Sequence, residues 1–329
     1  MKNKYFNLLL LSIIFLVFVF GILVGHYHIF PYSYIKVLKN IEFGATVPLE
    51  NDDTNFDLMV SCISSDGITD ASNEMNDFQY TFFAAGHTYG TPGTVQIGLY
   101  PKFYESLLNS SKERKFDFGF LTGDVVRSAS IKSWEVITKQ LSSLPFEIHI
   151  APGNHDVGNG DDNAKRDIFK IIHGETYYSF YKFSDLFIVL DPNISGWDID
   201  GEQLIFLKEV LANNLGRQNN IFILMHQLIW ASHGQDKYFK KIIYNSPAGK
   251  RDGPTNYWSV IAPLLEQQKN NVYLIAGDVG AFNNGSELFC NKVKSVKYIA
   301  SGMGGGKNDN YLLFSVTGGI VSTKIIMLP

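Results

Sequence analysis

The chain opens with an apolar run from Phe6 to Val24 that contains no charged residue and is long enough to cross a hydrocarbon core as one helix. A mixed stretch follows from Pro31 to Asp77, with a polar, acidic middle at Glu50-Asn51-Asp52-Asp53-Thr54-Asn55 and one strand predicted around Phe56 to Ile63. Beyond it the pattern changes. Short β-rich apolar runs at Tyr80 to Ala85, Phe116 to Leu121, Phe146 to Ala151, Leu186 to Leu190, Ile221 to Met225 and Val272 to Ala276 read as strands. Helical periodicity marks Ile131 to Leu141, Ala164 to Ile172, Glu202 to Asn213 and Tyr257 to Gln267. In the third of these, Leu204, Leu207, Val210 and Leu211 recur at the spacing of one buried face, which is packing rather than function. Such alternation predicts a layered α/β fold. The tail reads as consecutive antiparallel strands at Val296 to Ala300, Tyr311 to Val316 and Ile320 to Met327, the last two joined through Thr317-Gly318-Gly319.

These patterns divide the chain into a transmembrane signal anchor over 1–25, a spacer over 26–76 and a catalytic-type domain over 77–329. A soluble helix normally keeps one polar face, and the first segment has none. Lys2 and Lys4 precede the run and Lys36 and Lys39 lie well beyond it, so the positive-inside bias places the N-terminus in the cytoplasm and exports the rest. Leu23-Val24-Gly25-His26-Tyr27 lacks the small-x-small pattern of a cleavage site, which favours an uncleaved anchor over a signal peptide.

Composition narrows the function classes. With 28 basic and 32 acidic residues the net charge is -4, without the basic excess of a nucleic-acid surface. Cys62 and Cys290 are too few for a disulfide framework and too far apart for a zinc motif, leaving a single pair or two buried thiols; we read them as thiols. Asn109-Ser110-Ser111, Asn193-Ile194-Ser195 and Asn284-Gly285-Ser286 match the glycosylation pattern. Gly302 to Gly306 before Lys307 lacks the spacing of a nucleotide loop.

The chemistry gathers at strand ends. Asp124 follows a strand and Gly123; Asn154, His155 and Asp156 follow a strand and Gly153; His226 ends a third strand, and Gly277-Asp278 a fourth. Open α/β sheets collect ligands at the carboxyl ends of their strands, so the four ends should converge. Each pattern alone is an ordinary cap or turn; in this order, each bearing an oxygen or nitrogen ligand, packing does not explain them. His149, His173 and His233 fit no motif and read as structural or surface residues.

From Tyr80 to the C-terminus the chain resembles the calcineurin-like metallophosphoesterases, whose pattern is Asp-x-His, Gly-Asp, Gly-Asn-His-Asp/Glu, a strand-terminal His, then Gly-His-x-His. Gly123-Asp124, Gly153-Asn154-His155-Asp156 and His226 match in order, supported by Asp200-Gly201-Glu202-Gln203-Leu204 opening a helix and by Ser301-Gly302-Met303-Gly304-Gly305. The resemblance implies a sandwich of two mixed β-sheets flanked by helices. The first motif is reduced to Ala85-Gly86-His87 and the last to Gly277-Asp278-Val279-Gly280. Carried over residue by residue, one metal keeps Asp124, Asn154, His226 and Asp278, whereas the other keeps only Asp124 and His87. The expectation is one tightly held ion beside a second position that is weak or vacant.

That oxygen-rich ligand set suits Mn, Fe or Mg, with Zn also possible. A metal held this way polarises a phosphoryl oxygen and acidifies its water. The resemblance makes His155 the acid toward the leaving group, oriented by Asp156, while His87 serves as a base or as a donor to the phosphoryl group. Arg127, three residues past Asp124, is either a phosphate clamp or a solvated surface residue. The function expected is hydrolysis of a phosphomono- or phosphodiester by an outward-facing, membrane-anchored enzyme. Its substrate would be a phosphorylated small molecule, glycan or lipid of the envelope. The alternatives are a catalytically degenerate binding or scaffolding module and, less favoured, attack on a non-phosphate ester. Asp66, Asp70 and Asp77 are candidates to replace the lost carboxylate, and the loop from Ala231 to Asn256 carries no decipherable pattern.

Overall fold

Strands hidden on both faces read as unbroken apolar runs, and four of the strands here are buried along their whole length. The computed structural model describes residues 59–63, 78–95, 97–113, 116–160, 163–217, 219–231, 239, 242–246, 253–282 and 287–329. All fall in the unit Asp53–Pro329; the unit Met1–Asp52, with the predicted anchor and most of the spacer, lies outside the described residues, as do Asp66, Asp70 and Asp77. Among the described residues no helix is long and apolar enough to cross a membrane.

The elements in chain order are β1 (Gln79–Ala85), α1 (Pro101–Glu113), β2 (Phe118–Thr122), α2 (Ile131–Ser142), β3 (Glu147–Ala151), α3 (Asn154–Val157) and α4 (Ala164–His173). There follow β4 (Tyr178–Lys182), β5 (Asp185–Val189), α5 (Gly201–Asn214), β6 (Asn220–Met225), a π-turn (Tyr257–Ile261) running into α6 (Ala262–Glu266), β7 (Asn271–Ala276), β8 (Leu288–Val293), β9 (Val296–Ser301), β10 (Asn310–Thr317) and β11 (Ile320–Met327). Every predicted helix and strand of the domain is present. Two helices start where side chains satisfy free backbone N–H groups: Ser130 accepts from Ser133 at α2, and Asn163 from Lys165 and Arg166 at α4.

The strands form two mixed sheets, ordered β11-β10-β1-β2-β3 and β4-β5-β6-β7-β9-β8. Alternate residues of β1 divide the interior: Phe82 and Ala84 join the cluster between the sheets, with Phe187, Phe222 and Phe314, while Phe83 and Ala85 face the layer that includes Leu99, Phe103 and Trp134. Phe82 lies 5.1 Å from Phe222 and 5.2 Å from Phe187, so aromatic contacts lock one sheet onto the other. A third cluster packs α5 and α6 on the outer face of the second sheet. The expected sandwich of two mixed sheets flanked by helices is therefore present.

Three expectations are corrected. Residues 59–63 are helical, not a strand. The tail strands are not consecutive neighbours, because β9 pairs with β7 and β8 in the second sheet while β10 and β11 form a hairpin in the first. Cys62 and Cys290 are bonded to each other rather than free. The helical turn lies along β8 and β9, where Cys290 N–H reaches Met59 Sδ at 3.1 Å and Lys297 Nζ donates to Ile63 O at 3.1 Å, and this contact brings the sulfurs together. The bridge closes a loop of 228 residues, a separation over which periodicity carries no signal. Replacing both residues, Cys62→Ser with Cys290→Ser, lowers stability by about 2–4 kcal/mol in denaturant melts. Reductant destabilises the wild type similarly and leaves the double variant unchanged.

Candidate metal centre

Parallel register brings the predicted ligands to one edge. Ala85 pairs with Leu121 and Thr122 with Ala151 in the first sheet, and Met225 with Ala276 in the second, so each chain leaves its strand at the same level. The two sheets then meet backbone to backbone. A Cβ on Gly277 would lie 1.9 Å from Thr122 O and 2.8 Å from Gly86 Cα, a gap only glycine can occupy. Gly123, at φ +83°, turns Asp124 inward with the His226 ring packed against it.

Asp124, His226 and Asp278 form a buried cluster whose ligand atoms lie within 4.8 Å of one another. His226 Nδ1 contacts Thr122 O at 2.9 Å; a carbonyl only accepts, so Nδ1 carries the proton and Nε2 faces the carboxylates. Nε2 lies 3.3 Å from Asp124 Oδ1 and 3.4 Å from Asp278 Oδ1, yet it makes no hydrogen bond. Burial would push the imidazole pKa down, but the two carboxylates outweigh it and raise it well above the ordinary value. Burial would likewise raise Asp124, but His226, His155 and His87 hold it below the carboxylate range. Two buried anions around one unsatisfied nitrogen fit a divalent cation among them, oriented by the Thr122 carbonyl behind the imidazole.

The other predicted residues come to the same place. Asn154 Oδ1 accepts from Ser246 Oγ at 3.2 Å, and that hydroxyl also lies 3.3 Å from Asp278 Oδ1, so the amide stands beside the cluster. His155 N–H donates to Asp124 Oδ1 at 3.1 Å. His87 Nε2 lies 3.9 Å from Asp124 Oδ2, and its Nδ1 donates to Met303 O at 2.8 Å. Burial lowers the His87 pKa, so the neutral ring presents an Nε2 lone pair toward the centre, suited to a ligand or base and not to a donor. His87 and Asp124 both have positive φ, 53° and 52°, which is unusual for residues with a side chain. The bonds His87 N–H to Gly123 O (3.0 Å) and Tyr89 N–H to Asp124 O (3.1 Å) hold the two turns together.

Asp156 does something other than orient His155. Its carboxylate accepts from the N–H groups of Val125, Val126 and Gly153, tying the turn after β2 to the turn after β3. Burial, with Asp124 nearby, pushes its pKa up to about 7. The His155 ring is held instead through Nδ1, which donates to Arg127 O at 2.5 Å. With that proton committed, Nε2 donates only after the ring takes up a second one. Arg127 is exposed on the rim of a 270 Å³ cleft lined also by Tyr89, Asp124, His155, Ser246 and Phe282.

Sequence reasoning missed Ser246, Gln227 and Asn193. Gln227 Nε2 donates to Asn193 Oδ1 at 2.6 Å and lies 3.4 Å from Asn154 Oδ1; the Asn193 amide donates to Pro152 O and Asp191, and Asp191 pairs with buried Arg166. Adjacency to His226 marked Gln227, whereas Ser246 sits in a loop without pattern, 32 residues from its partner Asp278. Asn193 is fully buried, so its glycosylation pattern is structural. His149 stacks on Phe180 at 4.5 Å and His173 meets Trp134 edge-on at 4.7 Å, both in packing roles; His233 and Asn284 lie outside the described residues.

No protein-family model matches the sequence, and no curated protein is similar to it. Among solved structures the chain is similar to the purple acid phosphatase PPD1 of yellow lupin seeds, with 14% identity and a TM-score of 0.52 over 78% of this chain and 55% of that one. It is also similar to a putative 5'-nucleotidase from Staphylococcus aureus (10% identity, TM-score 0.37, 77% of this chain and 54% of that one). A third likeness is to the phosphopantetheinyl hydrolase of Mycobacterium tuberculosis (9% identity, TM-score 0.39, 69% of this chain and 90% of that one). The chain spans about half the length of the first two. The first likeness shows a shared fold, the two-sheet α/β sandwich described above.

The raised His226 pKa makes cation binding proton-linked, because a ligating imidazole must be neutral. Titration of metal-free protein with Mn²⁺ in buffers of different ionisation enthalpy releases roughly one proton near neutral pH. Affinity rises with pH until the folded-state pKa of His226 is passed, and then levels off. A pH-independent affinity contradicts the assignment.

Proposed function

We propose that this protein is a metal-dependent phosphoesterase, held at a membrane by its N-terminal apolar segment and facing outward. The observation that carries the reading is the buried Asp124, His226 and Asp278 cluster with Asn154 and His155 beside it, at the mouth of a cleft in a metallophosphoesterase fold. Asp124, Asn154, His226 and Asp278 would hold one divalent ion, Mn²⁺, Fe²⁺, Mg²⁺ or Zn²⁺. When bound, it would polarise a phosphoryl oxygen and acidify water.

The protein's own groups would do the rest. His87 Nε2 takes a proton from the attacking water. As the water oxygen bonds to phosphorus, the ester P–O bond breaks and the protonated His155 gives its Nε2 proton to the leaving oxygen. Arg127, on the cleft rim, pairs with the phosphate. Asp156 keeps the turns of Asp124 and His155 in register.

Outward location is supported by the lysines before Phe6 to Val24 and by the Cys62–Cys290 disulfide, since disulfides persist mainly in oxidising compartments. Phosphorylated envelope glycans, lipids or small molecules are the substrates this placement favours. A second reading, a degenerate binding or scaffolding module, is favoured by Ala85, whose methyl group sits in an apolar cluster where the family pattern has a carboxylate.

Assays of the purified protein against phosphomono- and phosphodiesters with Mn²⁺ and other divalent ions decide between them. His155→Ala lowers kcat by about 10²- to 10⁴-fold with metal content unchanged. Full turnover in that variant removes His155 from the mechanism, and protein purified without chelator that carries no metal and shows no turnover supports the module.

A further inference from the structure

Tyr89 lies two residues past His87, on the loop whose backbone is bonded to Asp124 O. Its ring is wedged between the histidines flanking Asp124, with centroids 4.2 Å from His87 and 5.2 Å from His155, and it lines the cleft while only 8% exposed. Packing alone explains a ring at this position but not its hydroxyl. Buried tyrosines normally find a partner for that group, and others here do: Tyr80 donates to Asp185, Tyr257 to Tyr298, and Tyr311 bonds with Ser110. The Tyr89 hydroxyl makes no hydrogen bond among the described residues, and the residue lines the cleft.

A phosphoryl group in transfer spreads negative charge over three oxygens, each of which needs a cation or a donor. On the His87 side both are short. Ala85 stands where the family pattern has a carboxylate, and the His87 Nδ1–H is directed at Met303 O, away from the centre. A phenol hydroxyl carries a proton that it can donate. We propose that the Tyr89 hydroxyl donates a hydrogen bond to a non-bridging phosphoryl oxygen on the His87 side of the centre, a contact to the ligand that compensates for the depleted metal position. This rests on the phosphoesterase reading above.

The test uses the full chain loaded with Mn²⁺ and inorganic phosphate as the probe. Tyr89→Phe keeps the ring and removes one oxygen. It weakens phosphate binding by about 10- to 100-fold in calorimetric titration, the loss of one hydrogen bond to a charged group. kcat for a phosphomonoester falls comparably, while metal content and melting temperature stay at wild-type values. Site-specific replacement of Tyr89 by a fluorinated, more acidic tyrosine provides a variant that keeps both ring and hydroxyl, and it strengthens phosphate binding. Phosphate affinity within twofold of wild type in both variants overturns the proposal, as does a wild type that binds no phosphate. Tyr89-dependent phosphate binding without turnover on any ester upholds it and instead rejects the esterase reading.

Discussion

The contact between the backbones of Gly86 and Gly277 is the constraint on which the site depends. Each glycine sits where any Cβ would overlap the other chain or its neighbours, so the ends of β1 and β7 meet as bare backbone. Because β1, β2 and β3 run parallel in one sheet and β6 and β7 in the other, that single approach sets the spacing of the turns that follow these strands. Asp124 from one sheet then faces His226 of the other at 3.3 Å, and His226 stands 3.4 Å from Asp278 beside it. The aromatic layer of Phe82, Phe187 and Phe222 beneath holds the sheets at that distance.

Bringing like charges together under burial has a cost, met by local devices. His226 takes up the field of the two carboxylates, which is why its pKa rises although burial opposes it. His87 and Asp124 adopt left-handed backbone, each costing on the order of 1–3 kcal/mol, and the cross-bonds between their turns hold them there. Asp156 accepts three N–H groups from the turns on either side. Asp309 does the same for the glycine loop, accepting from Gly304, Gly305 and Gly306 and so fixing the turn that presents Met303 O to His87. The centre is thus assembled from turns braced by carboxylates that are not themselves ligands.

Much of this was legible in the chain, and the losses have physical causes. Strands buried on both faces announce themselves as apolar runs, and a polar residue able to hold a metal at the end of four of them, after a glycine in three, marks the edge where the site forms. The missed strands, β4 and β8, are edge strands whose exposed or half-buried positions dilute the apolar signal. Of the missed helices, α3 is a single turn of four residues, and α1 opens with Pro101 at its first position but is too polar for periodicity to dominate. The misplaced β9 follows from the same limit: it has strand character in either sheet, and pairing is decided by which neighbour its side chains can pack against.

Residue chemistry and its spacing along the chain determined most element types and which candidate ligands end which strands, because helix and strand periods and turn residues are local properties. Pairings across long separations were left to tertiary structure. Asp156 is adjacent to His155 yet braces Val125 and Val126. Ser246 joins Asn154 to Asp278 from an unpatterned loop, Cys62 finds Cys290, and Tyr89 comes to rest between two histidines. In each case the partner was selected by the packing of two sheets and the few backbones that can touch between them, which no stretch of sequence encodes alone.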